Sequence, residues 1–268
     1  MTMRNERYDR VYVKTQTQIG LMEKACRIVA ETLILLEKYI QPGIETIEID
    51  KIAEDYILSK GAKPAFKGYK VESRLFPNSL CISIDDEVVH GIPGRRKLKD
   101  GEIISVDCGT LKDGFYGDSA MTYAVGEISG EKRKLMRVTE ESLMLGIQAA
   151  ISGNKVYDIS KAVQTHVEIN GFSVTRELVG HGIGQQLHEE PPIPNFVPPL
   201  LHRQKYPNVK LQSGMTIAIE PMVQAGVKNV RTKPDGWTVV TIDNMPAAHF
   251  EHTVVVNDGK AIILTLRD

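Results

Sequence analysis

The sequence predicts an α+β domain built from two similar halves, and two observations carry that expectation. Helical periodicity precedes strand-like runs twice along the chain, and 268 residues, 42% of them hydrophobic, supply enough apolar material for one large core. Charged residues make up 25% of the chain, which leaves no case for disorder or a fibrous repeat.

The first half opens with a helix expected over residues 15–39. Ile19, Met22, Cys26, Val29, Leu33 and Leu36 recur at threes and fours until Gln41-Pro42-Gly43 ends the pattern. A second helix follows from Thr46, with Ile49, Ile52, Ala53, Tyr56 and Ile57 on its apolar face and Gly61 at its end. Strands are expected over residues 80–84, 102–107 and 115–125, with Lys112-Asp113-Gly114 turning the chain between the last two. The second half repeats the order, with helices over 131–151 and 156–170 and strands over 216–220, 237–242 and 252–256. Residues 1–14 read as a short tail and 15–268 as a single domain. The proline-rich stretch 191–199 reads as an ordered surface loop, because strands resume soon after it.

Charge and cysteine usage narrow the function. Lys and Arg total 33 against 34 Asp and Glu, for a net charge of -1, which argues against a generic nucleic-acid or acidic-membrane surface. Cys26, Cys81 and Cys108 are odd in number and form no C-x-x-C, so neither a disulfide framework nor a thiolate zinc site is expected, and a reducing compartment is the simpler reading. Residues 1–10 are polar where a secretory signal needs an apolar run, so a cytoplasmic location is expected.

The chemistry-bearing residues are scattered acids and histidines. If Asp113-Gly114 makes a tight hairpin, Asp118 falls opposite Gly109, and strand alternation places it on the same face as Asp107. Gly109, Gly114 and Gly117 beside them are expected to leave room for a buried ion pocket. His181 stands between Gly180 and Gly182. His188-Glu189 is no zincin helix, since position 192 is proline where a second histidine is required. Glu220 ends an apolar strand and Glu251 opens another, positions at which an acid needs a cation or a metal. Four carboxylates and one imidazole form a hard set suited to Mn²⁺, Fe²⁺, Co²⁺ or Zn²⁺, and four negative charges call for two ions. Two such ions would activate water and polarise a carbonyl, the design of a hydrolase.

In order, Val89-His90-Gly91-Ile92-Pro93, Asp107, Asp118, Gly180-His181-Gly182-Ile183-Gly184, His188-Glu189-Glu190-Pro191, Ile219-Glu220-Pro221 and Phe250-Glu251-His252 resemble the motifs of the type I methionine aminopeptidases. The resemblance runs over nearly the whole chain. It implies the pita-bread fold, in which two related α/β halves share a central antiparallel sheet covered by helices. It implies removal of an initiator methionine from new proteins when the second residue is small, by a monomer acting on nascent N-termini in association with the ribosome. Asp107, Asp118, His181, Glu220 and Glu251 would hold the two ions, with Asp118 and Glu251 bridging and Glu220 also carrying the proton. His188 would meet the scissile carbonyl and His90 the substrate beside the cleaved bond. Cys81 and Trp237 fall where the methionine pocket would be, with Phe76 and Tyr69 as further walls. Leu187 and His249 depart from the family's usual aromatic residue and glutamine. The span from His188 to Glu220 is too short for the helical insertion of type II relatives.

Three rival readings share the fold. A proline-directed peptidase usually carries a long N-terminal domain, whereas here the first motif arrives by His90. A non-catalytic binding protein or a metal-free creatinase-like hydrolase would lack metal ligands, and all five acids and histidines are present in this chain.

Overall fold

In the computed structural model, which describes residues 11–267, helix α1 (Gln16–Glu37) begins where the sequence supplies a capping box. The Thr15 side chain accepts from the Gln18 amide while the Gln18 side chain accepts from the Thr15 amide at 2.9 Å. Residues 1–10 of the expected tail lie outside the described residues. Val13 and Lys14 dock on the domain, Val13 bridging Met215 and the buried Lys14 ammonium pairing with Glu189.

Helix α2 (Thr46–Ser59) packs with α1 over one face of an antiparallel sheet made of Leu80–Ile84, Ile103–Lys112, Phe115–Ala124 and the short edge strand Lys63–Pro64. Strand alternation sorts the two faces. Leu80, Ile82 and Ile84 join Ile104, Val106 and Cys108 beneath the helices, against Val29, Leu33, Leu36, Ile49 and Ile57. Cys81, Ser83, Ser105 and Asp107 therefore look the other way, toward the second half. The three cysteines are buried and free.

The second half mirrors the first. Helices α3 (Gly130–Ala149) and α4 (Val156–Ile169) cover a five-stranded antiparallel sheet in the order Glu189–Ile193, Gly180–Gly182, Thr216–Ile219, His252–Val255, Ile262–Ile263. Two three-stranded sheets complete it, one joining Ser173–Val174, Met222–Gln224 and Ala247–His249, the other joining Glu87–Val89, Val239–Thr241 and Val230–Thr232. The strand expected over 237–242 is confined to Val239–Thr241, and Trp237 precedes it in a turn held by Asp235, whose carboxylate accepts from the Trp237 and Thr238 amides at 2.8 and 2.9 Å.

Two expectations need correction. The stretch 191–199 is no surface loop throughout. Its start belongs to the edge strand Glu189–Ile193, and Pro191, Ile193, Asn195 and Phe196 are buried. The glycines beside the two aspartates serve packing and turning instead of opening an ion pocket. A Cβ on Gly109 would meet the Phe66 ring at 2.8 Å, one on Gly117 would meet the α1 backbone at Cys26 N at 2.6 Å, and Gly114 has φ 81 in the hairpin turn.

The seam between the halves is hydrogen-bonded. Thr253 Oγ1 donates to Asp118 O at 2.7 Å and accepts from the Asp118 amide at 3.2 Å. Ser119 Oγ donates to Glu251 O at 2.5 Å, the Glu251 amide donates to Ala120 O at 3.0 Å, and Thr122 Oγ1 exchanges bonds with the backbone of His249 at 2.8 and 2.9 Å.

Gly117 pairs across the strands with Thr110, whose hydroxyl donates to Ala25 O at 3.0 Å, so helix α1 lies directly on the sheet here. Gly117→Ala is expected to destabilise the protein by about 1–3 kcal/mol through overpacking, read as a lower denaturant midpoint at unchanged slope. Gly130→Ala, where a Cβ meets nothing within 4 Å, is expected to change stability by less than about 0.5 kcal/mol.

Candidate metal centre

Asp107 and Asp118 are brought together by the hairpin between Ile103–Lys112 and Phe115–Ala124. Asp113 (φ 50) and Gly114 (φ 81) both take the left-handed conformation that two-residue hairpin turns require. The resulting register pairs Gly109 with Asp118 and Asp107 with Ala120, which puts both carboxylates on the face turned to the second half. The Glu251 amide bonds to that same Ala120, so the seam delivers a third acid beside them.

His181 comes from Gly180–Gly182, a strand flanked closely on both sides. A Cβ on Gly180 would lie 2.4 Å from Ala218 O, and one on Gly182 would lie 2.3 Å from Glu190 O. Its Nδ1 donates to Gly182 O at 2.9 Å, which leaves Nε2 with its lone pair exposed. That atom faces Glu220 Oε1 at 3.6 Å, beyond hydrogen-bond reach, while His249 Nε2 stands 3.7 Å from Glu220 Oε2. Glu220 follows the strand Thr216–Ile219, and its carbonyl accepts from Asn195 Nδ2 at 2.9 Å.

Donor atoms of Asp118, His181 and Glu251 all lie within 4.8 Å of one another. Asp107 and Glu220 line the same cavity of about 240 Å³. Asp107 Oδ1, Asp118 Oδ1 and Glu251 Oε1 are buried without a partner, against the strong tendency of buried polar atoms to find one. Burial pushes the Asp107 carboxyl up to about 7. Burial, with the charges of Glu251 and Asp107, raises Asp118 well above the carboxylate range. Glu220 and Glu251 are raised by burial and then by the neighbouring acids. Burial, then His188, holds His181 down to about 3, so its imidazole is neutral. Clustered acids short of positive charge and a neutral imidazole offering its lone pair fit hard divalent ions.

The rest of the cavity is largely apolar. Phe66, Phe76, Cys81, Leu187 and Trp237 line it, with the Trp237 and Phe76 rings packed edge to face at 5.3 Å. His188 and His90 stand on its wall. Tyr69 Oη lies 2.7 Å from His188 Nδ1, and the His188 ring packs at 4.4 Å on that of His181. His90 has φ 59, and loss of water around its ring lowers it to about 4.

Three residues here have roles that no motif in the sequence announces. Tyr69, expected as a pocket wall, is also the partner of His188. His249, expected only as a departure from the family's glutamine, stands beside Glu220. Arg267 lies in no motif, yet its Nη1 donates to Ser119 Oγ at 2.9 Å, behind the Glu251 carbonyl, and its charge eases the ionisation of Glu251.

Comparison with known proteins places this arrangement. Residues 20–258 match the model of metallopeptidase family M24. The chain belongs to that family. It is 51% identical over 255 residues to methionine aminopeptidase 1 of Bacillus subtilis, covering 95% of this chain and 99% of that one. The crystal structure of the methionine aminopeptidase from Thermotoga maritima superposes with a TM-score of 0.89 at 42% identity, covering 96% of this chain and 99% of that one. The prolidase of Pyrococcus furiosus shares the fold, with a TM-score of 0.78 at 22% identity, and this chain spans 68% of its length. The M24 fold thus accounts for the two helix-covered halves, and the Bacillus subtilis and Thermotoga maritima proteins are each matched over 99% of their length.

The shifted acids set a pH dependence. A carboxyl whose folded pKa is raised binds protons that the unfolded chain has already released, so stability falls as pH rises through the folded value. His90, His181, His188, His249 and His252, lowered when folded, are neutral above pH 7 and add little there. Chelator-treated protein is therefore expected to lose melting temperature from pH 7 to pH 9, and added Mn²⁺ to restore more at pH 9 than at pH 7. A melting temperature flat or rising across that range, by scanning calorimetry, would contradict the acid cluster.

Proposed function

We infer that this chain is a methionine aminopeptidase that hydrolyses the first peptide bond of nascent proteins when the second residue is small. The observation that carries the reading is the cluster of buried carboxylates, three of them with an oxygen left without a partner, and a neutral imidazole lining an apolar cavity, in a chain 51% identical to a methionine aminopeptidase. Asp107, Asp118, His181, Glu220 and Glu251 are the residues that would hold two divalent ions, drawn from Co, Mn, Fe or Zn. When bound, the ions supply acidified water and a polarised scissile carbonyl.

The chain's own groups do the remainder. Glu220, buried and with a raised pKa, takes a proton from the attacking water and passes it to the departing amine. Tyr69 donates to His188 Nδ1, so the neutral ring keeps its proton on Nε2 and offers it to the carbonyl oxygen as negative charge develops. Phe66, Phe76, Cys81 and Trp237 take the methionine side chain. His90 and His188 narrow the space for the next residue, which excludes bulky second positions. Among the described residues no helix is long and apolar enough to cross a membrane. Action in the cytoplasm, as a monomer meeting chains at the ribosome, completes the reading.

Chelated protein given Co²⁺, Mn²⁺, Fe²⁺ or Zn²⁺ is expected to release methionine from Met-Ala-Ser. Glu220→Gln is expected to lose roughly 100-fold or more in kcat, the usual range for a proton carrier. Preferred cleavage of Ala-Pro over Met-Ala would transfer the chain to the proline-directed peptidases. Tyr69→Phe, which removes one hydrogen bond to His188, is expected to lower kcat/KM about 2- to 10-fold.

A further inference from the structure

Beside the cavity stands a small hairpin that the reaction above does not use. Lys70–Val71 pairs with Arg74–Leu75, with Lys70 opposite Leu75 and Val71 opposite Arg74. One step nearer its base, the Phe76 amide donates to Tyr69 O at 2.9 Å, so Tyr69 faces Phe76. Alternation then puts Tyr69, Phe76, Val71 and Arg74 on one face, and Lys70 and Leu75 on the other. Of these inward residues Tyr69, Phe76 and Val71 line the cavity, Arg74 stands at its rim and reaches across to Gly236, and the outward Lys70 and Leu75 do not line it.

The hairpin is fastened to the opposite wall. Arg74 Nη1 donates to Gly236 O at 2.9 Å, in the turn that carries Trp237, and a Cβ on Gly236 would lie 1.8 Å from that nitrogen. Val71 remains 42% exposed, an apolar side chain held at the cavity edge with one flank open.

We propose that Val71 and the stem of Arg74 form a subsite for the side chain of the third residue of the peptide, favouring apolar residues there. The proposal rests on the aminopeptidase reading, because it takes the first side chain to lie against Phe76 and Trp237. In an extended peptide the first and third side chains point the same way, about 7 Å apart. The hairpin's inward pairs, Tyr69–Phe76 and Val71–Arg74, are separated by the same two residues of strand. The wall that receives the first side chain is thus continued outward in step with the substrate. Polar third residues leave the Val71 flank in water, and apolar ones cover it.

Release of methionine from Met-Ala-Leu-Lys and Met-Ala-Ser-Lys by the metal-loaded enzyme tests this. The leucine peptide is expected to be favoured by about 5- to 10-fold in kcat/KM, the gain from partly burying one aliphatic side chain. Val71→Ser should bring that ratio below about 2, through loss on the leucine peptide, the expected consequence of replacing the apolar flank. Leu75→Ser, on the outward face of the same hairpin, should keep the ratio, which separates contact from loosening. A wild-type ratio near one, or a ratio that Val71→Ser leaves intact, overturns the subsite alone. Absence of release from both peptides overturns the aminopeptidase reading and the subsite with it.

Discussion

The arrangement depends on the seam where Phe115–Ala124 meets the segment around Glu251. Neither half holds the full set of acids, and what aligns them is a short series of bonds from Ser119, Thr122 and Thr253 to the facing backbone. These hydroxyls satisfy backbone groups that a continuous sheet would otherwise pair. They also fix register, and a one-residue slip would turn Asp118 from the cavity to the α1 face. Small β-branched and hydroxyl side chains at a joint are thus the condition for acidic ones a residue away.

Electrostatics oppose this construction. Acids that share one cavity repel, and burial adds to the penalty. The fold meets part of it from behind. Arg267 reaches the back of Glu251 through Ser119 and its charge eases that acid's ionisation, whereas His181 stays neutral and offsets none of the repulsion. Among the described residues no lysine or arginine lines the cavity, which leaves the acids available to ions that arrive from outside.

Where residues in sequence determine structure through local rules, the chain was readable. The threes-and-fours spacing from Ile19 to Leu36 marks α1, and Asp113-Gly114 fixes the hairpin that aligns Asp107 with Asp118. Legibility failed where a local rule met an exception. Prolines at 191, 192 and 194 argue against a strand, yet Glu189–Ile193 runs along a sheet edge, where missing amide donors cost little. Gly180–Gly182 has no side-chain alternation to announce a strand. The glycines near the aspartates pointed to close approach correctly, but nothing local says that a helix and a phenyl ring are what approach. Arg267, Tyr69 and His249 act through partners far away in sequence, a kind of information that periodicity does not carry.

The seam has a further consequence for how the molecule comes into being. Asp107 and Asp118 belong to one half, and His181, Glu220 and Glu251 to the other. Ions gripped by such a set would act as a rivet between two plates, so that acquiring catalytic competence and locking the two plates together would be one event. A partly made chain owns only half of the grip, and a scarcity of metal would be felt first as mechanical slack along the joint.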